Sequence, residues 1–381
     1  MNQIIKFDAQ HEDLIHDVSY DFYGKRLATC SSDQRLKVWD FNDETSAWEI
    51  NDDWKGHDCS IVKVIWAHPG YGQILASCSF DRQVKIWEEQ EFEPKGSQKR
   101  WVEKARLVES RGTVQDIEFA HSDQGLKLAT CGADGIVRIY EAQRVHDLRQ
   151  WTQMGQFEIC SLPAVSGGSG GASSVTTSSS AAGAAAGGGI APLKDTDGNY
   201  CLSWYPSKSS LSSPPMMVVG CGKENTAKIF KFDSATNKWY IFQDLPGHEN
   251  TVHDVAWAPN MGRSYQLIAT ACKDHHVRIF KFTEDNSANN SMGLASQASG
   301  PPNSGGSMRS ADGRKFRVER VADFSDHGAE VWRVEWNITG TILSSSGDDG
   351  KVRLWKAGYM DDWRCMSIIS AEQRGGDYMD R

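Results

Sequence analysis

The sequence predicts an all-β fold, a propeller of six four-stranded blades, because one strand–turn–strand segment recurs six times. In its first copy, LATCSSDQRLKVWD, an apolar strand leads into a tight acidic turn and an alternating strand that ends at Asp40. Another strand-like segment, IHDVSYD in the first copy, lies upstream of each recurrence. The repeat aromatics are mostly about 50 residues apart, which suits a four-stranded blade with modest loops.

All six copies keep this order of elements along the chain. The alternation of Leu36 and Val38 has the period of two that is typical of a half-buried strand. The copies end at Asp40, Glu88, Glu141, Lys231, Lys281 and Lys356. The upstream strands read IHDVSYD, IVKVIWA, TVQDIEFA, YCLSWYP, TVHDVAWAP and VWRVEWN. The recurrence therefore predicts antiparallel meanders and not a helical repeat.

Composition is that of an ordinary globular protein. The length of 381 residues allows one large domain or two smaller ones, and the repeats favour a single propeller domain over residues 1–381. The formal net charge of −9 makes nucleic acid a poor default partner, because an acidic protein repels phosphate. The chain has no apolar run of about 18 residues and no signal-peptide pattern. We therefore expect an intracellular protein without a transmembrane segment.

The nine cysteines occur without any Cys-x-x-Cys pair, which fits neither a disulfide framework nor a zinc module. Cys30, Cys78, Cys131 and Cys221 each stand three residues before an acidic turn residue in successive repeats. We expect them to be reduced and to fill the cores of four different blades. The sequence predicts no metal site and no cofactor.

Two polar stretches interrupt the repeats. Residues 164–189, AVSGGSGGASSVTTSSSAAGAAAGGG, contain too few apolar side chains to become ordered by burial. Residues 284–313 are rich in Asn, Ser, Gly and Pro. We predict two disordered loop insertions that leave the ring unaltered, because long surface loops cost little closure entropy.

Motifs that would indicate catalysis or nucleic-acid binding are weak. Gly167, Ser169 and Gly171 form a Gly-x-Ser-x-Gly sequence, but a nucleophile elbow needs a strand before it and a helix after it. The basic run around Trp101 has the mixture that nucleic-acid binders use, but neighbouring glutamates cancel much of its charge. Because the recurring His and acidic residues are explained by the repeats, we predict that the protein is not an enzyme and does not bind nucleic acid directly.

The repeats resemble the WD-repeat family, whose blades commonly share a hydrogen-bonded set of His, Ser or Thr, Asp and Trp. The resemblance implies this set in blades one, two and six, and in blade five with Phe280 in place of Trp. Blades three and four depart from the pattern. A fully satisfied polar chain of this kind stiffens a blade and fixes its register. The implied structural network is His11, Thr29, Asp33, Trp39, His57, Ser77, Asp81, Trp87, His248, Thr270, Asp274, His327, Ser345, Asp349 and Trp355.

Closure of the ring is the open question. The last repeat already has a candidate outer strand, WRCMSIIS from Trp363 to Ser370, which leaves the N-terminal IIKF segment without an obvious vacancy. One reading is an open propeller, whose strand edges are a template for pairing with another chain. The other reading is that one of these segments fills blade six and closes the ring. For the open ring, the predicted partner-binding edge is Ile4, Ile5, Phe7, Trp363 and Ile368.

Three long stretches carry a closer resemblance: HEDLIHDVSYDFYGKRLATCSSDQRLKVWD, WKGHDCSIVKVIWAHPGYGQILASCSFDRQVKIWE and HGAEVWRVEWNITGTILSSSGDDGKVRLWKA. They are similar to the Seh-type scaffold nucleoporins, relatives of the Sec-type propeller of the COPII vesicle coat. The similarity covers nearly the whole chain apart from the two insertions.

That resemblance implies an open six-bladed propeller completed by a blade that an α-solenoid partner donates. The partner would be a scaffold nucleoporin of the Y-shaped subcomplex of the nuclear pore, at the nuclear envelope, with a role in mRNA and protein transport. A second implied assembly is SEA/GATOR, which regulates TORC signalling at the vacuole or lysosome membrane. Two alternatives remain, a COPII-type coat propeller and a peptide-binding adaptor that uses a pocket on the ring face.

Overall fold

The computed structural model describes residues 7–160, 199–206, 214–285, 307–309 and 315–370, and these form six antiparallel sheets. In each sheet the strands pair in sequence order with their neighbours, as a meander does, apart from one added strand in the fifth sheet. The sequence prediction of a six-bladed all-β propeller is confirmed.

The first three blades follow one another without a break in the described chain. Blade one contains β1 (Ile15–Tyr20), β2 (Arg26–Ser31), β3 (Arg35–Asn42) and β4 (Ala47–Lys55). Blade two contains β5 (Ile61–Trp66), β6 (Ile74–Ser79), β7 (Val84–Glu89) and β8 (Trp101–Leu107). Blade three contains β9 (Val114–Phe119), β10 (Lys127–Gly132), β11 (Ile136–Arg144) and β12 (Asp147–Glu158).

The last three blades repeat the plan. Blade four contains β13 (Tyr200–Trp204), β14 (Met216–Cys221), β15 (Thr226–Asp233) and β16 (Lys238–Leu245). Blade five contains β17 (Val252–Trp257), β18 (Tyr265–Cys272), β19 (Val277–Asp285), β20 (Ser307–Arg309) and β21 (Lys315–Phe324), with β20 outermost. Blade six contains β22 (Val331–Trp336), β23 (Ile342–Gly347), β24 (Lys351–Ala357) and β25 (Trp363–Ser370).

The first strand of each blade is the innermost, and these inner strands run parallel to one another. Asp17 bonds to Val64 and Ser19 bonds to Trp66, so β1 and β5 advance in the same direction. Consecutive turns between first and second strands consequently meet on one face of the ring, as Tyr71 does when its hydroxyl donates to the carbonyl of Ser122 (2.7 Å).

Apolar cores lie between successive blades, because each sheet buries the face that it turns towards its neighbour in the series from blade one to blade six. Within the described residues five such cores occur, from the one between blades one and two to the one between blades five and six. Cys30, Cys78, Cys131 and Cys221 are buried in them as free thiols, at the positions that the repeats predicted. None of these five cores joins blade six to blade one.

The two predicted insertions are only partly described. Residues 164–189, including the Gly167–Gly171 motif, lie outside the described residues. In the second stretch, residues 284–285 extend β19, and 307–309 form β20, which pairs with β21. The remaining residues between 286 and 313 also lie outside the described part of the chain.

The basic run of blade two lies on and before its outer strand β8. Nearly every cation in it contacts a carboxylate: Lys95 contacts Asp40 (2.6 Å), Lys104 contacts Glu88 (2.8 Å), and Arg100 contacts Glu89 (2.7 Å). The same Glu89 also binds Arg26 of blade one. Lys95 therefore bridges blades one and two, and Arg100 shares Glu89 with Arg26 at the same junction.

Candidate functional site

The polar network inside a blade is clearest in blade two. The indole of Trp87 donates to Ser77 Oγ (2.9 Å), and that hydroxyl donates to His57 Nε2 (2.8 Å). Nδ1 of His57 lies 2.9 Å from Asp81 Oδ2. Because a carboxylate only accepts, Nδ1 carries the proton, and the imidazole is neutral with every position satisfied. The chain of bonds runs from the turn to the centre of the blade.

Blades one and six repeat this chain of bonds. The hydroxyl-to-imidazole distance is 2.8 Å in blade one and 2.7 Å in blade six, and the imidazole-to-carboxylate distance is 2.7 Å and 2.9 Å. The indole-to-hydroxyl distance is 3.4 Å and 2.8 Å. The residues are His11, Thr29, Asp33 and Trp39, and His327, Ser345, Asp349 and Trp355.

Blade five departs from the predicted set at its carboxylate. His248 accepts from Thr270 Oγ1 (2.9 Å) but donates from Nδ1 to the carbonyl of Leu245 (3.1 Å). Asp274 instead accepts from the backbone of Glu249 (3.0 Å) and binds Arg278 (2.8 Å). The predicted hydrogen bond between His248 and Asp274 is therefore not formed, and both groups bond to other partners.

Blades three and four use substitutes for the missing histidine. Tyr140, at the position of the tryptophan, donates its hydroxyl to Glu109 (3.0 Å), and Asp134 binds Arg138 (2.7 Å). In blade four Glu224 pairs with Lys228. Glu109 was not identified from the sequence, because its pairing with a tyrosine belongs to no repeat pattern.

A substitution at Ser345 tests the network directly. Its hydroxyl bonds to both His327 Nε2 and the indole N–H of Trp355, so Ser345→Ala leaves two buried polar groups without this partner. We expect the free energy of unfolding to fall by about 2 to 6 kcal/mol, because two groups lose their partner at about 1 to 3 kcal/mol each. The adjacent Ser346 points to the other side of the sheet, and Ser346→Ala is the matched control, expected to cost under about 0.5 kcal/mol. Denaturant unfolding of both variants measures the difference, and equal losses would contradict the network.

The buried imidazole of His248 makes stability depend on pH. Burial lowers its pKa to about 4, and the Arg278 guanidinium acts in the same direction. The unfolded chain takes up this proton below a pH of about 6.5, so stability must fall as the pH drops from there towards 4. His248→Gln is expected to flatten the slope of unfolding free energy against pH in this window. His146→Gln, at an exposed position, is the control, and an unflattened slope for His248→Gln would refute the assignment.

Hydrogen bonds between blades reinforce the cores. Carboxylates on the inner strands of blades one, three and five accept a backbone N–H from the next blade: Asp17 from Val64 (3.1 Å), Asp116 from Leu202 (2.8 Å) and Asp254 from Val334 (3.0 Å). At the same interfaces an indole donates to a main-chain carbonyl: Trp66 to Ser19 (3.0 Å), Trp204 to Glu118 (3.1 Å) and Trp336 to Ala256 (3.1 Å). This aspartate recurs in the sequence as the Asp of HDV, QDI and HDV. Its hydrogen-bond partner could not be predicted, because the partner lies in another repeat.

The space between blades six and one, here called the seam, lacks such a junction in the described chain. Its first wall is the face of blade one that points away from blade two. Val18 and Tyr20 of β1 lie on this face and are exposed, whereas Val334 and Trp336 of the last inner strand are buried. Ile15, at the start of β1, is exposed as well. Blade one therefore exposes an apolar face. In each later blade the equivalent face is covered by the preceding blade.

The second wall is the face of blade six that points away from blade five. Val334 and Trp355 face blade five, so the alternate positions face the seam. Val352 lies opposite Ile369 of the outer strand, and both are more than one third exposed. Leu354 follows on the same face and is half-buried. These residues of the seam were not part of the predicted partner-binding edge. The alternation of apolar side chains along β24 could have indicated them.

The inner ends of the two walls meet at an ion pair. Nη2 of Arg333 in β22 lies 3.7 Å from Oδ1 of Asp17 in β1. The other carboxylate oxygen of Asp17 accepts from the backbone of Val64 in blade two. Blade six therefore touches blade one at the central channel through charged groups, in contrast to the apolar cores elsewhere.

Phe7 takes the place of a preceding blade on the wall of blade one. Its ring packs edge-on against Trp39 at 5.4 Å, as Trp54 packs on Trp87 at 5.6 Å and as Phe324 stacks on the last repeat tryptophan at 4.1 Å. In those two cases the covering residue lies at or next to the end of the last strand, in chain order, of the preceding blade. Phe7 thus occupies the position of an outer-strand residue from a blade that the described chain does not contain.

The remaining predicted edge residues fall in different places. Ile4 and Ile5 lie outside the described residues. Trp363 is buried against Trp336, with ring centroids 5.7 Å apart, and holds the outer strand on blade six. Ile368 is exposed in the same strand. This strand pairs with β24 at the edge of the sheet, so WRCMSIIS is the outer strand of blade six.

Other kinds of site receive no support from the described residues. None of their His, Cys, Asp and Glu side chains form a group of three or more able to hold a metal ion. No helix in the described part of the chain is long and apolar enough to cross a membrane. The candidate functional site is therefore the seam, where two sheets expose apolar faces that are covered at every other junction of the described blades.

Comparison with known proteins agrees with the blade structure. The family model "WD domain, G-beta repeat" matches residues 2–40, 48–88, 239–281 and 318–356. These segments cover blades one, two, five and six, which keep the histidine of the network, whereas blades three and four lack it. The first matched segment begins before His11 and includes Phe7, in agreement with the outer-strand position of that residue.

Full-length relatives give a more specific result. The chain is 40% identical to Nucleoporin SEH1 of Saccharomyces cerevisiae over 380 residues, 96% of this chain and 99% of that protein. It is 41% identical to Nucleoporin seh1 of Schizosaccharomyces pombe over 376 residues, 96% of each chain. Nucleoporin SEH1 of Homo sapiens is 43% identical over 369 residues, 95% of this chain and 86% of that protein. The chain therefore belongs to the SEH1 nucleoporin family of WD-repeat propellers.

Proposed function

We propose that this protein is a structural scaffold subunit of the nuclear pore complex, at the nuclear envelope, and that its seam accepts a blade donated by an α-solenoid nucleoporin of the Y-shaped subcomplex. The observation that carries the proposal is the pair of uncovered walls, with Val18 and Tyr20 on one side and Val352 and Ile369 on the other. The family membership supports the pore assignment. The role is mechanical and includes no catalytic step.

A donated blade satisfies the seam in the way each blade of the ring satisfies the next. Every other blade buries its equivalent face in an apolar core. Fully burying a side chain such as Val18 contributes about 1.5 to 3 kcal/mol. A sheet with two apolar faces, presented by another chain, would cover both walls at once, whereas a short peptide strand would cover neither completely.

The N-terminal segment is proposed to join the donated sheet. Phe7 packs on Trp39 at the edge of the seam, and we propose that Ile4 and Ile5, which precede it in the sequence, pair with a strand of the incoming blade. Backbone hydrogen bonds of such a pairing supply affinity, and the alternating side chains supply register.

The same seam is proposed to serve the SEA/GATOR assembly at the vacuole or lysosome periphery. A related solenoid would donate its blade to the same two walls. Binding to the two assemblies is then mutually exclusive, since one seam takes one blade.

Co-expression with the solenoid nucleoporins of its own proteome tests the proposal. The expected result is a one-to-one complex that survives gel filtration, with hydrogen exchange slowed in β1 and β24 relative to the free chain. If only the free propeller is recovered with every candidate solenoid, the proposed function is wrong.

A further inference from the structure

The inner strands carry a pattern of charge around the central channel. Blades one, three and five place an aspartate at one position of these strands, and blades two, four and six place a different residue there. In ring order the six residues are Asp17, Lys63, Asp116, Cys201, Asp254 and Arg333. The residue that follows Lys63, Cys201 or Arg333 donates its N–H to the aspartate of the preceding blade, so these three positions are equivalent. Two of the three are cations, and the third is a thiol.

Each of the two cations reaches the aspartate of the following blade. Lys63 binds Asp116 of blade three, and Nη2 of Arg333 lies 3.7 Å from Oδ1 of Asp17 in blade one. Cys201 is instead part of the apolar core between blades four and five. Asp254 of blade five consequently has no cation from the blade before it, and it forms no ion pair within the described residues. Burial raises the pKa of this carboxyl to about 6.

The carboxylate of Asp254 retains acceptor capacity on both oxygens. Oδ1 accepts from the backbone of Val255 (3.0 Å), and Oδ2 accepts from the backbone of Val334 (3.0 Å). Each oxygen of a carboxylate has two lone pairs, so one remains on each. A planar guanidinium presents two parallel N–H donors that match such a pair, whereas an ammonium acts as a point charge. The missing cation therefore corresponds best to an arginine side chain.

The channel has room for that side chain. A cavity of 320 Å³ lies at its mouth, where the inner strands begin, and Cys201 and Asp116 are among its lining residues. A deeper cavity of 610 Å³ is lined by Asp254, and the two cavities share Ile15, His16 and Arg333. Ligand sites usually have volumes of about 300 to 1,000 Å³. Asp254 can thus be approached from the mouth although it is only 6% exposed.

The charge of this lining favours a cation and disfavours phosphate. Burial raises the pKa of Glu118 to about 8, so this carboxyl is neutral at pH 7. The three aspartates alone still outnumber the two basic side chains, and a surplus of negative charge attracts cations. The carboxyl groups of the lining are Asp17, Asp116, Glu118, Asp254 and Glu335.

His253, next to Asp254 in β17, is a second buried polar group at the mouth. Its side chain is 4% exposed and lines the cavity there. Burial lowers its pKa, and Asn199 Nδ2 donates to its Nδ1 (2.8 Å), so the ring is neutral with the proton on Nε2. This N–H forms no hydrogen bond within the described chain, although Glu330 Oε2 lies 3.4 Å away. A main-chain carbonyl of a bound peptide would satisfy it.

The rim of the mouth is apolar and open to solvent. Ile15, Phe80 and Trp332 line the cavity and are 44%, 47% and 42% exposed. Trp332 is held in place by stacking on His253 at 4.1 Å and by its bond to Asp348 (2.6 Å). Pockets that recognise peptides combine apolar contact area with a few fixed polar groups, as this mouth does.

We propose that the mouth of the central channel binds an extended segment of another protein through one arginine side chain, whose guanidinium pairs with Asp254 while a main-chain carbonyl of the segment accepts from His253. The guanidinium takes the place of the cation that blades two and six supply from their own strands. Both anchoring residues belong to blade five, away from the two walls of the seam. The inference therefore goes beyond the proposed function and does not rest on it.

Two short peptides test the site on the free, full-length chain. The peptide Ala-Ala-Arg-Ala-Ala and the same peptide with citrulline, the neutral analogue of arginine, carry a fluorescent label, and anisotropy gives the Kd of each. We expect the arginine peptide to bind about 10-fold tighter or more, because its donors carry the charge that Asp254 lacks opposite it. Equal Kd values, or no binding of the arginine peptide at millimolar concentration, would overturn the inference.

Substitutions then assign the two contacts. Asp254→Asn is expected to remove the preference for arginine, so that both peptides bind with the same Kd. Asp43→Asn is the matched control, because it removes a carboxylate that is 70% exposed in the turn between β3 and β4, and it should keep the full preference. His253→Phe keeps an aromatic ring against Trp332 and should weaken both peptides by the same factor, since its contact is with the main chain.

The outcomes for the variants are distinct. A preference for arginine that persists in Asp254→Asn refutes the role of this carboxylate, and unchanged Kd values in His253→Phe refute the contact with the main chain. Thermal unfolding verifies that each variant is folded. If Asp254→Asn does not fold, the comparison of the two peptides on the unchanged chain still decides the inference.

Discussion

Replacing Val352 by Glu is expected to weaken the complex with the blade-donating solenoid at least 100-fold, about 2.7 kcal/mol in binding free energy. Val352 is 36% exposed in the free protein, so the carboxylate is solvated there and the fold tolerates it. In the proposed complex the side chain at this position, on the seam face beside Ile369, would be covered by the incoming sheet. A buried carboxylate without a partner is strongly unfavourable.

A second valine provides the matched control. Val102 is 38% exposed in the outer strand of blade two, away from the seam. Val102→Glu adds the same charge at similar exposure and should leave the Kd unchanged. Titration calorimetry on purified partners measures both. Equal affinities for the two variants would place the binding surface somewhere other than the seam.

Replacing Trp355 by Ala is expected to lower the free energy of unfolding by about 3 to 5 kcal/mol, the usual cost of removing a buried tryptophan. The side chain is 1% exposed and stacks on Phe324 of blade five at 4.1 Å. Its indole also supplies the bond to Ser345 Oγ (2.8 Å). The substitution therefore opens a cavity between two blades and breaks the polar network of the last one.

Trp332 in the same blade is the control for this experiment. It is 42% exposed, stacks on His253 at 4.1 Å and donates to Asp348 (2.6 Å). Trp332→Ala is expected to cost about 1 kcal/mol, as a surface contact does. Denaturant unfolding gives the two values, and a similar loss in both variants would contradict the buried role of Trp355.

The repeated strands could be predicted from sequence because the signal is local. Apolar alternation and an acidic turn recur at a fixed spacing, and each copy specifies the same hairpin independently. The polar set of blade two was recoverable for the same reason: His57, Ser77 and Trp87 stand at offsets that recur in blades one and six.

Contacts between repeats were not predictable in this way. The carboxylate of Asp116 accepts from Leu202, 86 residues along the chain and beyond the first insertion. His248 bonds to the carbonyl of Leu245, and the carboxylate of Asp274 binds Arg278. Which of the available partners a group bonds to depends on the local three-dimensional geometry, and the spacing of residues along one repeat does not record that geometry.

The seam residues were hidden for a related reason. Val18 and Val352 have the same apolar character as the core residues of other blades, so sequence alone assigns them to a core. Only the packing of blade six shows that the neighbouring sheet is missing from the described chain. The sequence predicted a binding edge in the terminal strands, whereas the structure shows the exposed apolar surface on the facing sheets of blades one and six.

The seam also changes how the free protein unfolds. In a closed ring every blade has two neighbours, but within the part of the chain that the structure describes the first and last blades each share an apolar core with only one, which gives a linear array of five apolar junctions. Arrays with nearest-neighbour coupling fray from their ends, and the end units exchange hydrogen before the middle ones. Filling the seam adds two junctions and removes both ends at once. The proposed partner blade would therefore stabilise blades one and six most, and it would also convert the ring from a fraying array into a unit that unfolds together.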